Sequence, residues 1–280
     1  MRVALSGATG FIGRHVLTAL AKEGDCEVTA VGRDVSRITG PCLHKVQLDI
    51  GDAPPDVFER LGRPDLLIHV AWGGLPNYHS SAHLNEELPR QYRFLEHLIR
   101  SGLPRLFVSG TCLEYGLVNG CIAESVPTAP VVPYGLAKDI LRRSLESLRE
   151  QVPYGLIWAR LFYSYGDDQP SNSLFGQLRS AVDRGHTQFN MSVGDQVRDY
   201  LAIDEMAQLI AKLSVRKANQ GIVNLCSGAP ITVRQLAERW VAERDWRIQL
   251  NFGELAYPDY EPRAFWGDRR KLNALLEHEN

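Results

Sequence analysis

Met1-Arg-Val-Ala-Leu-Ser-Gly-Ala-Thr-Gly-Phe-Ile-Gly13 decides the fold. A short apolar run enters a turn with glycines at 7, 10 and 13, and an amphipathic stretch from Arg14 to Ala21 follows. This reads strand, glycine turn, helix. Each glycine answers one demand of a bound dinucleotide. Gly7 permits the tight turn, Gly10 lets a pyrophosphate approach the backbone, and Gly13 lets the helix pack closely on the strand. The phosphates would sit at the helix N-terminus, so Thr9, Phe11 and Ile12 join the glycines as candidate cofactor contacts. The spacing is Gly-x-x-Gly-x-x-Gly rather than Gly-x-Gly-x-x-Gly.

Outward from this turn, strand-like runs at 3–6, 27–32, 45–49, 66–71, 106–109, 155–162 and 221–225 alternate with helical patterns at 14–21, 89–101, 134–151, 204–213 and 233–243. The alternation predicts an α/β fold, a doubly wound parallel Rossmann sheet with helices on both faces. After Phe162 the regularity breaks. Asp167-Asp-Gln-Pro-Ser-Asn-Ser173 is loop-like, 188–198 is short-stranded and polar, and 251–267 is rich in aromatic residues and prolines. These pieces are expected to form a smaller C-terminal substrate lobe at the carboxyl ends of the strands. The expected division is 1–163 with 197–226 for the dinucleotide, and 164–196 with 227–280 for the substrate.

Composition narrows the function classes. A chain of 280 residues buries about three quarters of its unfolded surface, enough for one large core and a smaller lobe. The net charge is -2 with scattered basic residues, which offers no footprint for nucleic acid. No apolar stretch is long enough to span a bilayer, and no signal peptide is expected ahead of the opening strand, so a cytoplasmic protein is expected. The five cysteines, Cys26, Cys42, Cys112, Cys121 and Cys226, are odd in number and contain no Cys-x-x-Cys pair. Neither a disulfide framework nor a metal site is suggested.

The second predicted strand ends Val31-Gly32-Arg33-Asp34. An acidic residue about twenty positions after the glycine turn binds the adenosine ribose hydroxyls, whereas an arginine accommodates a 2′-phosphate. Arg33 therefore favours NADP, with Arg14 and Arg37 as further guanidinium groups, while the neighbouring Asp34 keeps NAD open. Asp49-Ile50, closing the third strand, would lie against the adenine. Ala71-Trp72, closing the fourth, would pass under the pyrophosphate and ribose.

Tyr134-Gly-Leu-Ala-Lys138 places a phenol and an ammonium on one helix face. A phenol titrates near pH ~10 in water, and a fixed cation beside it favours the phenolate, which gives a usable acid or base near neutrality. Further segments join these: Phe107-Val-Ser-Gly-Thr111-Cys112-Leu113-Glu114-Tyr115-Gly116, Arg160-Leu-Phe-Tyr-Ser-Tyr-Gly166, Gly194-Asp-Gln-Val-Arg198-Asp199-Tyr200 with Asp204, and Asn224-Leu-Cys-Ser-Gly228. Together with the glycine turn they resemble the extended short-chain dehydrogenase/reductase family, in its nucleotide-sugar epimerase, dehydratase and reductase branch. The resemblance covers nearly the whole chain.

That resemblance implies roles. Tyr134 would exchange a proton with a sugar oxygen, Thr111 would hydrogen-bond the same oxygen, and Lys138 would hold the nicotinamide ribose while lowering the tyrosine pKa. The branch's 4,6-dehydratases follow their threonine with an Asp-Glu pair. Here Cys112-Leu113 stands there and Glu114 comes one position late, so elimination is not expected and Cys112 reads as packing. Hydride transfer remains. The chain is similar to reductases that act on the C4 ketone of dTDP-4-keto-6-deoxyhexoses, which consume NADPH; the alternative is a nucleotide-sugar 4-epimerase with tightly bound NAD. A non-catalytic dinucleotide sensor is a third class, against which Tyr134 and Lys138 argue.

The family's Arg-x-Phe-Asn asparagine is Tyr163 here, and its late Arg-Pro-Gly segment has become Tyr257-Pro-Asp-Tyr-Glu-Pro-Arg263. Contacts to a nucleotide-diphosphate sugar must then be rebuilt locally. Arg198 is the expected diphosphate ligand, Asn190 and Arg263 are candidates for base or phosphates, and Trp72, Asn77, Tyr78 and Tyr163 for the sugar pocket. The resemblance also implies a homodimer through helices 89–101 and 134–151. Leu141, Leu145 and Leu148 form an apolar stripe that fits either this contact or the protein's own sheet.

Overall fold

The computed structural model describes residues 1–24, 26–216, 219–257 and 260–277. The first half of the chain gives β1 (Arg2–Ser6), α1 (Phe11–Leu20), β2 (Glu27–Gly32), β3 (His44–Gln47), α2 (Val57–Arg60), β4 (Leu66–His69), α3 (Leu88–Arg100), β5 (Arg105–Thr111), β6 (Gly120–Ile122) and α4 (Pro133–Gln151). Then follow β7 (Gly155–Leu161), β8 (Tyr163–Tyr165), α5 (Leu174–Asp183), β9 (Gln188–Met191), β10 (Val197–Ala202) and α6 (Ile203–Arg216). The last elements are β11 (Gly221–Leu225), β12 (Pro230–Thr232), α7 (Val233–Glu243), β13 (Gln249–Phe252), β14 (Phe265–Gly267) and α8 (Arg270–Glu277).

Seven strands form one sheet in the order β11-β7-β5-β4-β1-β2-β3, and every pairing in it is parallel. The strand order reverses between β1 and β4, which opens a crevice at the carboxyl ends of those two strands. Side chains alternate across β1: Val3 and Leu5 pack with α1 and α6, while Ala4 faces the layer of α2, α3 and α4. Both faces are therefore dry, as a parallel sheet of apolar strands requires. Leu141, Leu145 and Leu148 lie in the second of these layers and are buried. That stripe faces the protein's own sheet.

Local chemistry sets the ends of the helices that carry the site. α4 begins with Pro133 in its first turn after the extended Val132, where the missing N–H and fixed φ of proline suit helix entry. α1 starts at Phe11, earlier than the periodicity suggests, because Gly10 is extended and acts as its N-cap without a side-chain bond. β10 leaves the central sheet and pairs with β8 and β12 in a three-stranded sheet. Beside it, β9 pairs with β13, and a second apolar cluster gathers Phe175, Leu178, Leu236 and Trp240 from α5 and α7. Within the aromatic stretch at 251–267, β14 pairs with β6, while Pro258 and Asp259 lie outside the described residues. Among the described residues no helix is long and apolar enough to cross a membrane.

Candidate active site

The glycine turn sits on the strand reversal. Gly7 has φ +82, and a Cβ there would stand 2.7 Å from the Ala71 backbone nitrogen, so only glycine lets β1 and the end of β4 approach this closely. A Cβ on Gly13 would fall 2.0 Å from the Gly7 carbonyl oxygen, which fixes its role as helix-to-strand packing. A Cβ on Gly10 would come no nearer than 3.3 Å to that carbonyl. The α1 N-terminus carries no acidic residue in its first turn, and its leading N–H groups are suited to an anion.

A cavity of about 220 Å³ opens here, lined among others by Gly7, Thr9, Gly10, Arg33, Asp49, Ile50, Ala71 and Trp72. Eight sequence-predicted cofactor residues thus share one space. Phe11, Ile12, Gly13, Tyr134 and Lys138 are not on its lining. Arg33 makes no hydrogen bond or ion pair among the described residues and is exposed at the rim. Asp34 is turned away, because its carboxylate accepts from the Ser36 N–H at 3.0 Å and hydroxyl at 2.6 Å. Arg14, expected to help Arg33, instead pairs with Asp168 at 3.0 Å. Asp49 is held by Arg90 at 3.0 Å and accepts from the Gly51 N–H at 2.9 Å.

Along the cavity wall runs a polar chain that the sequence did not announce, with Ser6, Gly73, Glu87 and Gln91 on the lining and His69 buried behind them. Ser6 Oγ lies 2.7 Å from His69 Nδ1, and His69 Nε2 lies 2.6 Å from Gln91 Oε1. The Gln91 amide then donates to Glu87 at 3.0 Å, and the same carboxylate oxygen accepts the Gly73 N–H at 2.9 Å. Desolvation, reinforced by the Lys138 ammonium, pushes His69 down to about 3. It is therefore neutral near pH 7, accepting a hydrogen bond at Nδ1 from the Ser6 hydroxyl and donating Nε2–H to Gln91.

Thr111, Tyr134 and Lys138 converge at the carboxyl end of β5. The Thr111 hydroxyl accepts from the Leu113 N–H at 3.3 Å and lies near enough to the Tyr134 phenol to favour its ionised form. Lys138 is buried, donates to the Ser109 carbonyl at 2.8 Å and stands 4.0 Å from the centre of the Trp72 ring. Trp72 in turn donates its indole N–H to His83 Nδ1 at 3.1 Å. Rings of Trp72, Tyr78 and His83 surround Tyr134, with centroids at 5.9, 5.5 and 5.3 Å. Burial drives Lys138 down to about 7, opposed by Glu114 and Glu87.

The tyrosine departs from its expected titration. Burial, then Tyr78, Glu114 and Cys112, push Tyr134 well above the ordinary phenol range, and the nearby Thr111 hydroxyl opposes them. Lys138 approaches the Tyr134 ring at 6.0 Å, yet its pull toward the phenolate is outweighed by desolvation. The site holds a protonated phenol.

Glu114 is the largest omission of the sequence reading. It is buried, accepts from the Thr111 N–H at 2.8 Å and the Trp158 indole at 3.0 Å, and forms an ion pair with Arg160 at 2.8 Å. Thr111 and Glu114 make a capping box around the turn Cys112–Tyr115, a pattern visible in sequence as Thr-x-x-Glu. Cys112 is buried in an apolar cluster with Tyr115, Phe162 and Phe265.

The candidate substrate residues divide. Tyr163 and Arg198 meet at Glu261: the Tyr163 hydroxyl donates to one carboxylate oxygen and Arg198 pairs with the other at 2.8 Å. Arg198 is only 2% exposed, so it is engaged by a carboxylate rather than directed at open space. Arg263 is apart, paired with Asp195 at 3.1 Å and stacked over Tyr257. Asn190 is exposed on β9 and accepts from Asn251 at 3.1 Å. Among the described residues no group of His, Cys, Asp and Glu is arranged to hold a metal.

Comparison with known proteins places this geometry. The family model described as "NAD dependent epimerase/dehydratase family" matches residues 3–226. The chain is 29% identical over 272 residues to dTDP-6-deoxy-L-talose 4-dehydrogenase (NAD(+)) of Aggregatibacter actinomycetemcomitans, covering 95% of this chain and 99% of that protein. It is 27% identical to dTDP-6-deoxy-L-talose 4-dehydrogenase (NAD(P)(+)) of Kitasatospora kifunensis, covering 92% and 83%. Among solved structures, UDP-N-acetylglucosamine 4-epimerase from Methanobrevibacter ruminantium M1 in complex with UDP-N-acetylmuramic acid superposes with TM-score 0.86 at 22% identity, covering 98% of this chain and 91% of that one. That likeness speaks for the fold.

Proposed function

Because the chain belongs to the NAD-dependent epimerase/dehydratase family, we propose that it reduces the C4 ketone of a nucleotide-linked 4-keto-6-deoxyhexose, with Tyr134 as proton donor. The observation that carries this reading is that Thr111 and Tyr134 are both buried where β5 meets α4, with no free carboxylate beside them among the described residues. Glu114, the nearest acid in sequence, is locked to Arg160 and Trp158. Proton donation to a ketone needs a protonated phenol, and elimination needs an acid and a base. The buried Tyr134 fits the first requirement, and among the described residues no free carboxylate pair stands beside it for the second.

A reduced nicotinamide, when bound, would supply the hydride. As the ketone carbon gains it, Tyr134 gives its phenolic proton to the oxygen, and Thr111 hydrogen-bonds that oxygen while orienting the phenol. The product is the C4 alcohol, and the phenolate regains its proton from solvent. Lys138 sets the charge beside the phenol from its seat between the Ser109 carbonyl and the Trp72 face. The lobe of 164–196 and 227–280 is assigned to the sugar nucleotide. The talose dehydrogenases support a dTDP-linked 6-deoxyhexose, since oxidation and reduction at C4 are the same hydride step in opposite directions.

NADPH is the assigned cofactor, supported by the unpaired Arg33 on the cavity and by the diversion of Asp34 to Ser36. Arg33→Ser should raise KM for NADPH by about tenfold to a hundredfold, the loss of one charge-assisted bond, and leave KM for NADH unchanged. Equal effects on both cofactors would remove this assignment. A homodimer is also proposed. With the leucine stripe of α4 turned inward, Leu136 and Ile140 remain on its outer face, 38% and 36% exposed, one turn apart and ready to meet a second copy.

The deciding experiment incubates the protein with dTDP-4-keto-6-deoxyhexose and NADPH or NADH, follows the reduced nicotinamide by absorbance and identifies the product by NMR. Stoichiometric cofactor consumption with formation of a C4 alcohol is expected. No consumption of either cofactor sinks the reading. Interconversion of C4 epimers by protein purified with tightly held NAD would establish the 4-epimerase in its place.

A further inference from the structure

We propose that Glu261 is a positioning residue for the reacting centre: clasped by Arg198 and Tyr163, it seats an aromatic wall of Tyr260 and Tyr78 over the Tyr134 phenol. The inference rests on the assignment of Tyr134 as proton donor. Residues 260–264 are fastened to β10 at several points. Arg198 gives Nη2 to Glu261 at 2.8 Å and Nε at 3.3 Å, and its Nη1 reaches the Arg263 carbonyl at 3.3 Å. The Val197 N–H donates to the same carbonyl at 3.0 Å, and Val197 bridges Ala264. Tyr163, on β8, donates to the remaining Glu261 oxygen.

The residue before this clasp meets the site. The Tyr260 ring lies 5.8 Å from that of Tyr78 and 5.2 Å from that of His79. Tyr78 stacks 5.5 Å from Tyr134, and its carbonyl accepts the Tyr134 N–H at 3.2 Å. Glu261 therefore acts on Tyr134 through two aromatic rings. Removing its carboxylate would leave Nε and Nη2 of the buried Arg198 and the Tyr163 hydroxyl without their acceptor, a loss relieved by letting the segment lift and water enter.

The titratable groups around Tyr134 are Tyr78 and His83 from the segment before α3, Cys112 and Glu114 from the turn after β5, and Lys138 from its own helix. Tyr260 and Glu261 stand behind Tyr78. Since burial is the leading cause of the raised phenol, opening the wall returns Tyr134 toward the ordinary value of about 10.

The test is a pH titration by NMR of the full chain carrying ¹³Cζ-tyrosine, with the Tyr134 signal assigned by Tyr134→Phe. In the wild type this signal stays in the phenol position through the range in which a free tyrosine ionises, whereas in Glu261→Ala it titrates near pH ~10. Tyr260→Leu gives the same change, the double variant adds nothing to it, and Glu261→Gln, which keeps one acceptor oxygen, restores the wild-type signal in part. In turnover, Glu261→Ala lowers kcat about tenfold through misplacement and leaves KM for NADPH unchanged, because residues 260–264 do not line the cofactor cavity. An unmoved Tyr134 signal in folded Glu261→Ala overturns the proposal, as does a silent Tyr260→Leu. Should Glu261→Ala fail to fold, Tyr260→Leu decides by the same signal. Wild-type inactivity toward the ketosugar, with the NMR shift present, would sink the reaction reading and leave the wall standing.

Discussion

His69 and Lys138 are both buried, and the Lys138 ammonium adds to the desolvation that keeps His69 neutral, which carries a pH consequence. The folded pKa of His69, about 3, lies below its ordinary 6.5. Between those values the unfolded chain binds more protons than the folded one, so stability rises with pH across that window. The contribution is complete above pH 6.5 and is lost as pH falls toward 3. Urea denaturation at pH 4 and pH 7 should show His69→Asn losing less stability on acidification than the wild type, by on the order of 3 kcal/mol. Equal losses would mean that His69 does not titrate in this way. Tyr134→Phe should lower kcat by about 10² to 10⁴ and leave the thermal midpoint nearly unchanged, since it removes one hydroxyl. At this scale the sequence was legible where local spacing sets position, as in Gly7 and Gly13 at the turn and Tyr134 and Lys138 on one helix. It was silent on His69, whose partners Ser6 and Gln91 lie far along the chain in opposite directions.

The turn between β5 and β6 shows how an element can support a site without touching the reaction. Glu114 caps the turn at Thr111, holds Trp158 and neutralises Arg160, all inside the core. Glu114→Ala should destabilise the fold by about 3–5 kcal/mol, because it strands a buried guanidinium. A denaturant midpoint within experimental error of the wild type would contradict this. The seven strands of the central sheet could be anticipated, most of them from apolar runs that alternate with helical patterns, and α4 from its leucine stripe. The short elements could not. β9 finds its partner β13 and β6 finds β14 only after the chain has folded, so three or four residues of each carry too little pattern of their own. Arg198 was read as a phosphate ligand from its fork geometry, and no local signal pointed to Glu261 in the aromatic segment.

Across the whole molecule, two dry layers flank one sheet while a third apolar cluster organises α5 and α7. The proposed dimer would use the outer face of α4, where Leu136 and Ile140 are exposed. Sedimentation should find a dimer, and Ile140→Glu should shift it toward monomer without loss of the folded signal; an unchanged dimer would place the contact elsewhere. The strand order has a further consequence, for synthesis. A ribosome delivers β1 to β4 before β5, β7 and β11, so the reversal at the centre of the sheet can close while only one flank exists. The other flank then grows strand by strand, each new strand covering the open edge of the last, from β5 through β7 to β11. Until β11 arrives, β7 presents a bare row of amides to any passing chain. A nascent chain stalled before Gly221 would therefore be an aggregation hazard although its glycine turn and its Thr111, Tyr134 and Lys138 had all been made.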